Sequence, residues 1–205
     1  MSAPQVLTIG HSNHPIERFV ELLRLHGVTA VADVRSAPYS RFNPQYNRDA
    51  LNAELKRHGI AYVFLGRELG ARSSDRSCYE NGRVQYRRLA ETESFRAGIQ
   101  RVLSGAQTHR IALMCAEKEP LDCHRTLLVS QALDTSGTPV THILADGRAE
   151  PHKDSLKRLL KVVGLPDEDM FRSQEDLIAE ACVMQEERVA YVDEQLAQDG
   201  GKVSR

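Results

Sequence analysis

From residue 6 to about residue 163, short apolar runs alternate with stretches of helical periodicity. That alternation predicts an α/β fold with a mostly parallel sheet of about five strands. VLTIG at 6–10 predicts the first strand, and Ile16, Phe19, Val20 and Leu23 recur at i, i+3, i+4 and i+7 in a helix closing near Gly27. VTAVADV at 28–34 predicts the second strand. A helix over 49–58, with Leu51 and Leu55 on one face, stops at Gly59 before a third strand, IAYVFL, at 60–65. Residues 66–88 are rich in Gly, Ser, Arg and Asn without clear period, which predicts a long loop. A helix carrying Phe95, Ile99, Val102 and Leu103 leads to a fourth strand, RIALMC, at 110–115. HRTLLVSQAL at 124–133 reads as a helix and PVTHIL at 139–144 as the fifth strand. Asp154 can cap a further helix with Leu156, Leu159, Leu160 and Val163, ended by Gly164.

The tail has a different rhythm. Ile178, Cys182, Gln185, Val189, Val192 and Leu196 recur at alternating steps of four and three, predicting one helix over 173–198 with a heptad-like seam. The expected division is an α/β domain over 1–165 and a C-terminal helical extension over 166–205. Such a helix either folds back on the domain or forms a homodimer seam.

Composition narrows the partners. With 205 residues the chain can bury one substantial core. Lys plus Arg (27) nearly balances Asp plus Glu (28), so the net charge of -1 gives no global attraction to nucleic acid or membrane. Any anion-binding surface must be local. The N-terminal residues lack a basic and then apolar leader, and no run of apolar residues is long enough to span a bilayer. Four irregularly spaced cysteines suggest free thiols in a reducing compartment, and the expectation is a cytoplasmic protein with no membrane partner.

Loops leaving the carboxyl ends of parallel strands open on one edge, where ligands bind. That rule gathers His11, Ser12 and Asn13 after the first strand; Asp33, Arg35, Ser36, Tyr39, Ser40, Arg41 and Asn43 after the second; and Arg67, Glu68 and Arg72 after the third. AEKEPLDCHR follows the fourth strand and Asp146 the fifth. Arginine forks together with a helix beginning near Cys123 suit a phosphate or carboxylate. Arg35, Arg41 and Arg125, supported by Ser12, Asn13, Asp33 and Ser40, are the candidate ligand-binding residues. Glu117 is the candidate base or nucleophile, and His11 and His124 are candidate proton carriers. Cys123, at a helix start beside His124 and Arg125, is placed for a lowered thiol pKa, whereas Cys115 continues an apolar run and should be buried.

Sharper templates fail on spacing. The seven residues between Cys115 and Cys123 exceed the spacing of a zinc-finger pair, and PCxxC of the zinc deaminases is missing, so no metal site is expected. Cys115 and Arg125 stand ten apart, too wide for a phosphatase-type loop. Glycine-rich dinucleotide and P-loop fingerprints and the GxSxG elbow are not found. No cofactor can be named.

TIGHSNHPIERFVELL, ADVRSAPYSRFNP, LNAELKRHGIAYVFLGREL, ALMCAEKEPLDCHR and VTHIL, in this order, resemble the domain-of-unknown-function 488 (DUF488) family over about residues 6–145. The positions carrying the resemblance are His11, Ser12, Asn13, Asp33, Arg35, Pro38, Ser40, Arg41, Cys115, Glu117, Cys123, His124 and Arg125. It implies a Rossmann-like three-layer α/β sandwich and supplies no reaction. The function expected is an enzyme acting on a phosphate-bearing substrate, a nucleotide or nucleic acid. The alternatives are a non-catalytic nucleotide or nucleic-acid binding module and a Cys/His thiol or metal site.

Overall fold

A computed structural model describes residues 5–200. In chain order the elements are β1 (Val6–Gly10), α1 (Ile16–Leu25), β2 (Ala30–Asp33), α2 (Arg48–Arg57), β3 (Ala61–Phe64), α3 (Gly66–Leu69), β4 (Tyr79–Glu80), β5 (Arg83–Val84), α4 (Tyr86–Ala90), α5 (Glu93–Gly105), β6 (Ile111–Cys115), α6 (Gln131–Thr135), β7 (Val140–Ile143), β8 (Ala149–Pro151), α7 (His152–Val163), α8 (Gln174–Val189) and α9 (Glu194–Gly200). A π-helical segment, Arg125–Ser130, runs directly into α6.

The main sheet has the order β3-β2-β6-β1-β7-β8, parallel except for β8, which pairs antiparallel with β7. Side-chain alternation assigns its two faces. Leu7, Ile9, Val31, Ala112 and Met114 pack with Phe19, Leu22 and Leu23 of α1 and Leu51 and Leu55 of α2. Val6, Ala30, Ala32, Leu113 and Cys115 pack with Phe95 and Val102 of α5, with Leu128 and Leu133, and with Leu156 and Leu160 of α7. The result is the three-layer Rossmann-like sandwich. The chain winds outward from β1 through β2 to β3 with helices on one face, then returns through β6 to β7 with helices on the other. Adjacent β1 and β6 are therefore left by connections of opposite direction, the topology that opens a crevice at their carboxyl ends.

The expected five strands and their order along the chain are present, and β8 is an addition. Asp154 lies in the first turn of α7, whose N-cap is Pro151, and Gly164 ends that helix at φ 85°. The span 66–88 is not a bare loop: it holds α3, the β4–β5 hairpin and α4. Each has two to five residues, too few to show a period. The tail is likewise not one helix. α8 starts at a capping box between Ser173 and Asp176 and ends at Ala190. The Val84 amide donates to the Tyr191 carbonyl at 3.0 Å and Asp193 N to Gly82 O at 2.7 Å, so the segment between α8 and α9 extends the hairpin. The packed stripe of α8 is Leu177, Ala181 and Gln185, and it lies on α7 and the turn at Pro120–Asp122. Among the described residues no helix is long and apolar enough to cross a membrane.

Candidate functional site

Gly10 ends β1 where the β6 loop crosses it most closely. The amides of His11 and Ser12 continue the pairing onto the carbonyls of Cys115 and Ala116, both at 2.9 Å. A Cβ on Gly10 would stand 1.8 Å from the Glu117 carbonyl oxygen, so only glycine fits. Gly66 has the same duty, its missing Cβ making room for the Arg35 carbonyl oxygen at 1.9 Å. The first approach fixes the loop after β6 against the end of β1, and the second fixes the loop after β2 against the start of α3. Ser12 takes φ 50°, a left-handed conformation uncommon for a residue with a Cβ.

Beneath the edge lies a buried polar network. Asp33 grips Arg35 through both carboxylate oxygens, Oδ1 from Nε at 2.9 Å and Oδ2 from Nη2 at 2.6 Å, and the Tyr62 hydroxyl donates to Oδ2 at 2.8 Å. Arg35 also donates to the Tyr46 carbonyl at 2.8 Å, and its Nη1 lies 3.2 Å from His11 Nε2. The His11 Nδ1 faces the Ser12 carbonyl at 2.7 Å and the ring stacks on Tyr46 at 4.1 Å. A carbonyl only accepts, so Nδ1 carries the hydrogen and Nε2 takes the bond from Arg35. Burial is the largest force on this imidazole, and with the Arg35 charge it lowers the pKa to about 4. His11 is a neutral structural link. Of five N–H donors on Arg35, this network occupies four, leaving one for a ligand.

A second cluster forms where β6 ends and the π-helical segment begins. The turn at Pro120–Asp122 folds the acidic loop back on itself. Cys115, Cys123 and His124 thereby bring their sulfur and nitrogen atoms within 4.8 Å of one another. His124 Nδ1 is 3.7 Å from Cys115 Sγ and 3.8 Å from Cys123 Sγ, and its Nε2 is 3.1 Å from the Val34 carbonyl. Cys123 Sγ lies 3.0 Å from Glu117 Oε2 and accepts from the Arg125 amide at 3.4 Å. Burial first, then the neighbouring Cys123, pushes the Glu117 carboxyl upward. For Cys123 burial acts upward, but the bond to Cys115 and the charges of Arg125 and His124 outweigh it and hold the thiol well below its ordinary value. Cys115 is raised in turn, by its bond to Cys123 and by burial.

A cavity of about 250 Å³ opens over this cluster. Its floor is Cys115, Ala116, Glu117, Cys123 and His124; its walls include Arg35, Ser36, Arg72, Tyr86, Asp122 and Tyr191. The Arg72 amide donates to Ser36 Oγ at 3.0 Å, and its guanidinium lies over the Tyr191 ring at 4.4 Å. Arg72 makes no ion pair among the described residues.

The structure distributes the sequence-derived candidates unevenly. Glu117, Cys123, His124 and Arg35 line the cavity. Arg125 is fully buried under the loop, donating to the carbonyls of Glu117 at 2.7 Å and Lys118 at 3.3 Å, and does not line it. Asp33 and His11 lie behind Arg35. Ser12 and Asn13 form a local pair, Oγ to Oδ1 at 3.3 Å, and Asn13 is exposed. Ser40 Oγ accepts from the amides of Phe42 and Asn43, closing its own turn. Arg41 is exposed, 5.7 Å above the Phe42 ring. Asp146 pairs with Arg148 in the exposed turn between β7 and β8. Tyr86 and Tyr191 are wall residues that the sequence did not single out. Their signal was hidden in the span without period and beyond the expected end of the domain.

A doubly wound parallel sheet with a polar crevice where its winding reverses defines the class: a Rossmann-like α/β protein. The model of the family described as Domain of unknown function DUF488 matches residues 15–132, more than half of the chain, so the chain belongs to the DUF488 family. The match takes in Arg35, Glu117, Cys123 and His124 and begins after the His11–Asn13 loop. No curated protein and no solved structure matches the chain.

Proposed function

We propose that the protein is an enzyme acting on a small phosphate-bearing substrate, of nucleotide size or smaller, bound in the crevice above Glu117. The observation that carries this reading is the meeting of Glu117 with Arg35 and Arg72 around one cavity at the reversal of winding. Arg72 and the remaining N–H of Arg35 hold the anionic group, and Ser36 beside them adds a hydroxyl. Glu117 transfers the proton or attacks the substrate; Cys123, 3.0 Å away, sets the position of its carboxylate. Arg125 and His11 enter as positioning residues, one under the Glu117 backbone and the other behind Arg35. The volume of about 250 Å³ lies below the ~300–1,000 Å³ usual for drug-sized ligands, which favours a small phosphorylated molecule over a folded oligonucleotide.

Calorimetry and turnover assays with nucleoside monophosphates, sugar phosphates and short oligonucleotides test the proposal. Arg72→Ala is expected to weaken binding by about tenfold, the size of one exposed charge-assisted contact, and Glu117→Gln to abolish turnover while binding persists. Binding without turnover by the wild type would leave a binding module. Undiminished turnover by Glu117→Gln would remove the carboxylate from the reaction.

A further inference from the structure

We propose that Cys115, Cys123 and His124 hold a divalent cation of the zinc type, with the fourth coordination position open to the crevice beside Glu117. The proposal deepens the reading of this site, although the coordination argument stands without any substrate.

Geometry is the first support. A tetrahedral zinc ion with Zn–S near 2.3 Å and Zn–N near 2.0–2.1 Å sets sulfur and nitrogen ligands about 3.6 Å apart. The two N···S separations here are 3.7 and 3.8 Å, and all three donor atoms lie within 4.8 Å of one another. The eight-residue spacing that argued against a metal in the sequence is closed by the turn at Pro120–Asp122.

Orientation is the second. The Val34 carbonyl can only accept, so His124 donates from Nε2 and turns Nδ1 toward the two sulfurs, where a metal ion would displace any proton it carries. A histidine that ligates a metal is held in the same way, its other ring nitrogen donating to a carbonyl or carboxylate. The Arg125 amide, 3.4 Å from Cys123 Sγ, donates to a ligating thiolate. Two thiolates and one imidazole suit zinc, cobalt or ferrous iron over magnesium or calcium.

Openness is the third. Structural zinc sites close with four protein ligands, whereas catalytic ones keep a position for water or substrate. All three ligands line the cavity, and Glu117 stands beside them as the acceptor for a proton from bound water. Loading balances as M²⁺ displacing two protons, one from the Cys115 thiol and one shared by the Cys123–His124 pair, to give the dithiolate complex with a neutral His124.

The test uses protein made without a histidine tag and handled under reducing conditions. Elemental analysis is expected to find stoichiometric zinc. Replacement by cobalt(II) should give the visible bands of a tetrahedral ion and a thiolate charge-transfer band, with close to two protons released per metal. Cys123→Ser and Cys115→Ser should each weaken zinc binding by more than about 100-fold, beyond the loss expected for an outer-shell partner. Circular dichroism checks that both variants fold, and chelator competition on the wild type supplies a measurement free of any variant. Glu117→Gln should retain the metal, separating failure of the coordination site from failure of the proposed reaction. A reduced wild type that takes up neither zinc nor cobalt would overturn the proposal. So would a native Cys115–Cys123 disulfide, or full retention of metal by the double serine variant.

Discussion

At the scale of single residues, this site separates arginines that build the loops from arginines that keep donors facing the crevice. Arg35 and Arg125 sit in specific motifs and sequence alone places both beside a ligand. In the fold, Arg125 anchors two backbone carbonyls, and Arg35 is mostly committed to Asp33, His11 and Tyr46. A linear sequence cannot distinguish these duties, because a guanidinium has five donors and their partners come from distant loops. Asp33 and Arg35 are almost wholly removed from solvent, so cutting their pair strands a buried charge. Asp33→Ala is expected to cost about 3–5 kcal/mol of stability, and Tyr62→Phe about 1 kcal/mol, read from urea denaturation midpoints. A loss well below 1 kcal/mol for Asp33→Ala would mean that Arg35 finds another partner and that the network does not hold the β2 loop.

At the scale of elements, the sequence was most legible where a segment is long and packs one face. β1, β2, β3, β6 and β7, with α1, α2, α5 and α7, lie within two or three residues of the expected boundaries. Legibility failed for the short elements over 66–88 and for β8, whose three residues include a proline. The phase of α8 was legible only in part: Gln185 is buried and Ile178, Cys182 and Val189 pack against the core as partly buried residues, while Leu177 and Ala181, outside the expected seam, are the more deeply buried. The convergence of Cys115 and Cys123 depends on the turn between them, which spacing alone does not show. The tail does more than cover the core. Gln185 Nε2 donates to Leu121 O at 3.2 Å and Asp122 Oδ1 at 2.9 Å, and Glu186 Oε1 accepts from the Tyr86 amide at 2.7 Å. α8 thus braces both the turn before Cys123 and the Tyr86 wall. Leu177→Ala is expected to destabilise the protein by about 2–5 kcal/mol. Truncation before Ser173 should lower the melting temperature further and expose apolar surface to a reporter dye. A truncated chain with unchanged melting temperature would show that the core closes without α8.

At the scale of the whole molecule, buried histidines set the response to acid. His142 accepts or donates with Thr8 Oγ1 at 2.7 Å and lies 3.1 Å from His152 Nδ1, both rings almost wholly inaccessible. Burial lowers His11 and His152 from 6.5 to about 4, and burial with the His152 charge takes His142 well below 6.5. Below pH ~6.5 the unfolded chain binds protons that the folded chain refuses, so stability present above that pH is lost as pH falls toward 4. The loss is roughly 3 kcal/mol for His11 and again for His152 by the time pH 4 is reached. Denaturation midpoints between pH 7 and pH 4.5 check this: a steep decline is expected, and a flat profile would place these imidazoles in water.

The central claim, that chemistry happens over Glu117 where the winding of the sheet reverses, has a direct measurement. A crystal structure of Glu117→Gln bound to the phosphorylated compound that the wild type turns over, or binds most tightly, should place the phosphate against Arg72 and Arg35. Its reacting atom should lie within hydrogen-bond reach of residue 117. A ligand ordered elsewhere, with the cavity above Cys115 and Cys123 taken up by solvent alone, would contradict the account.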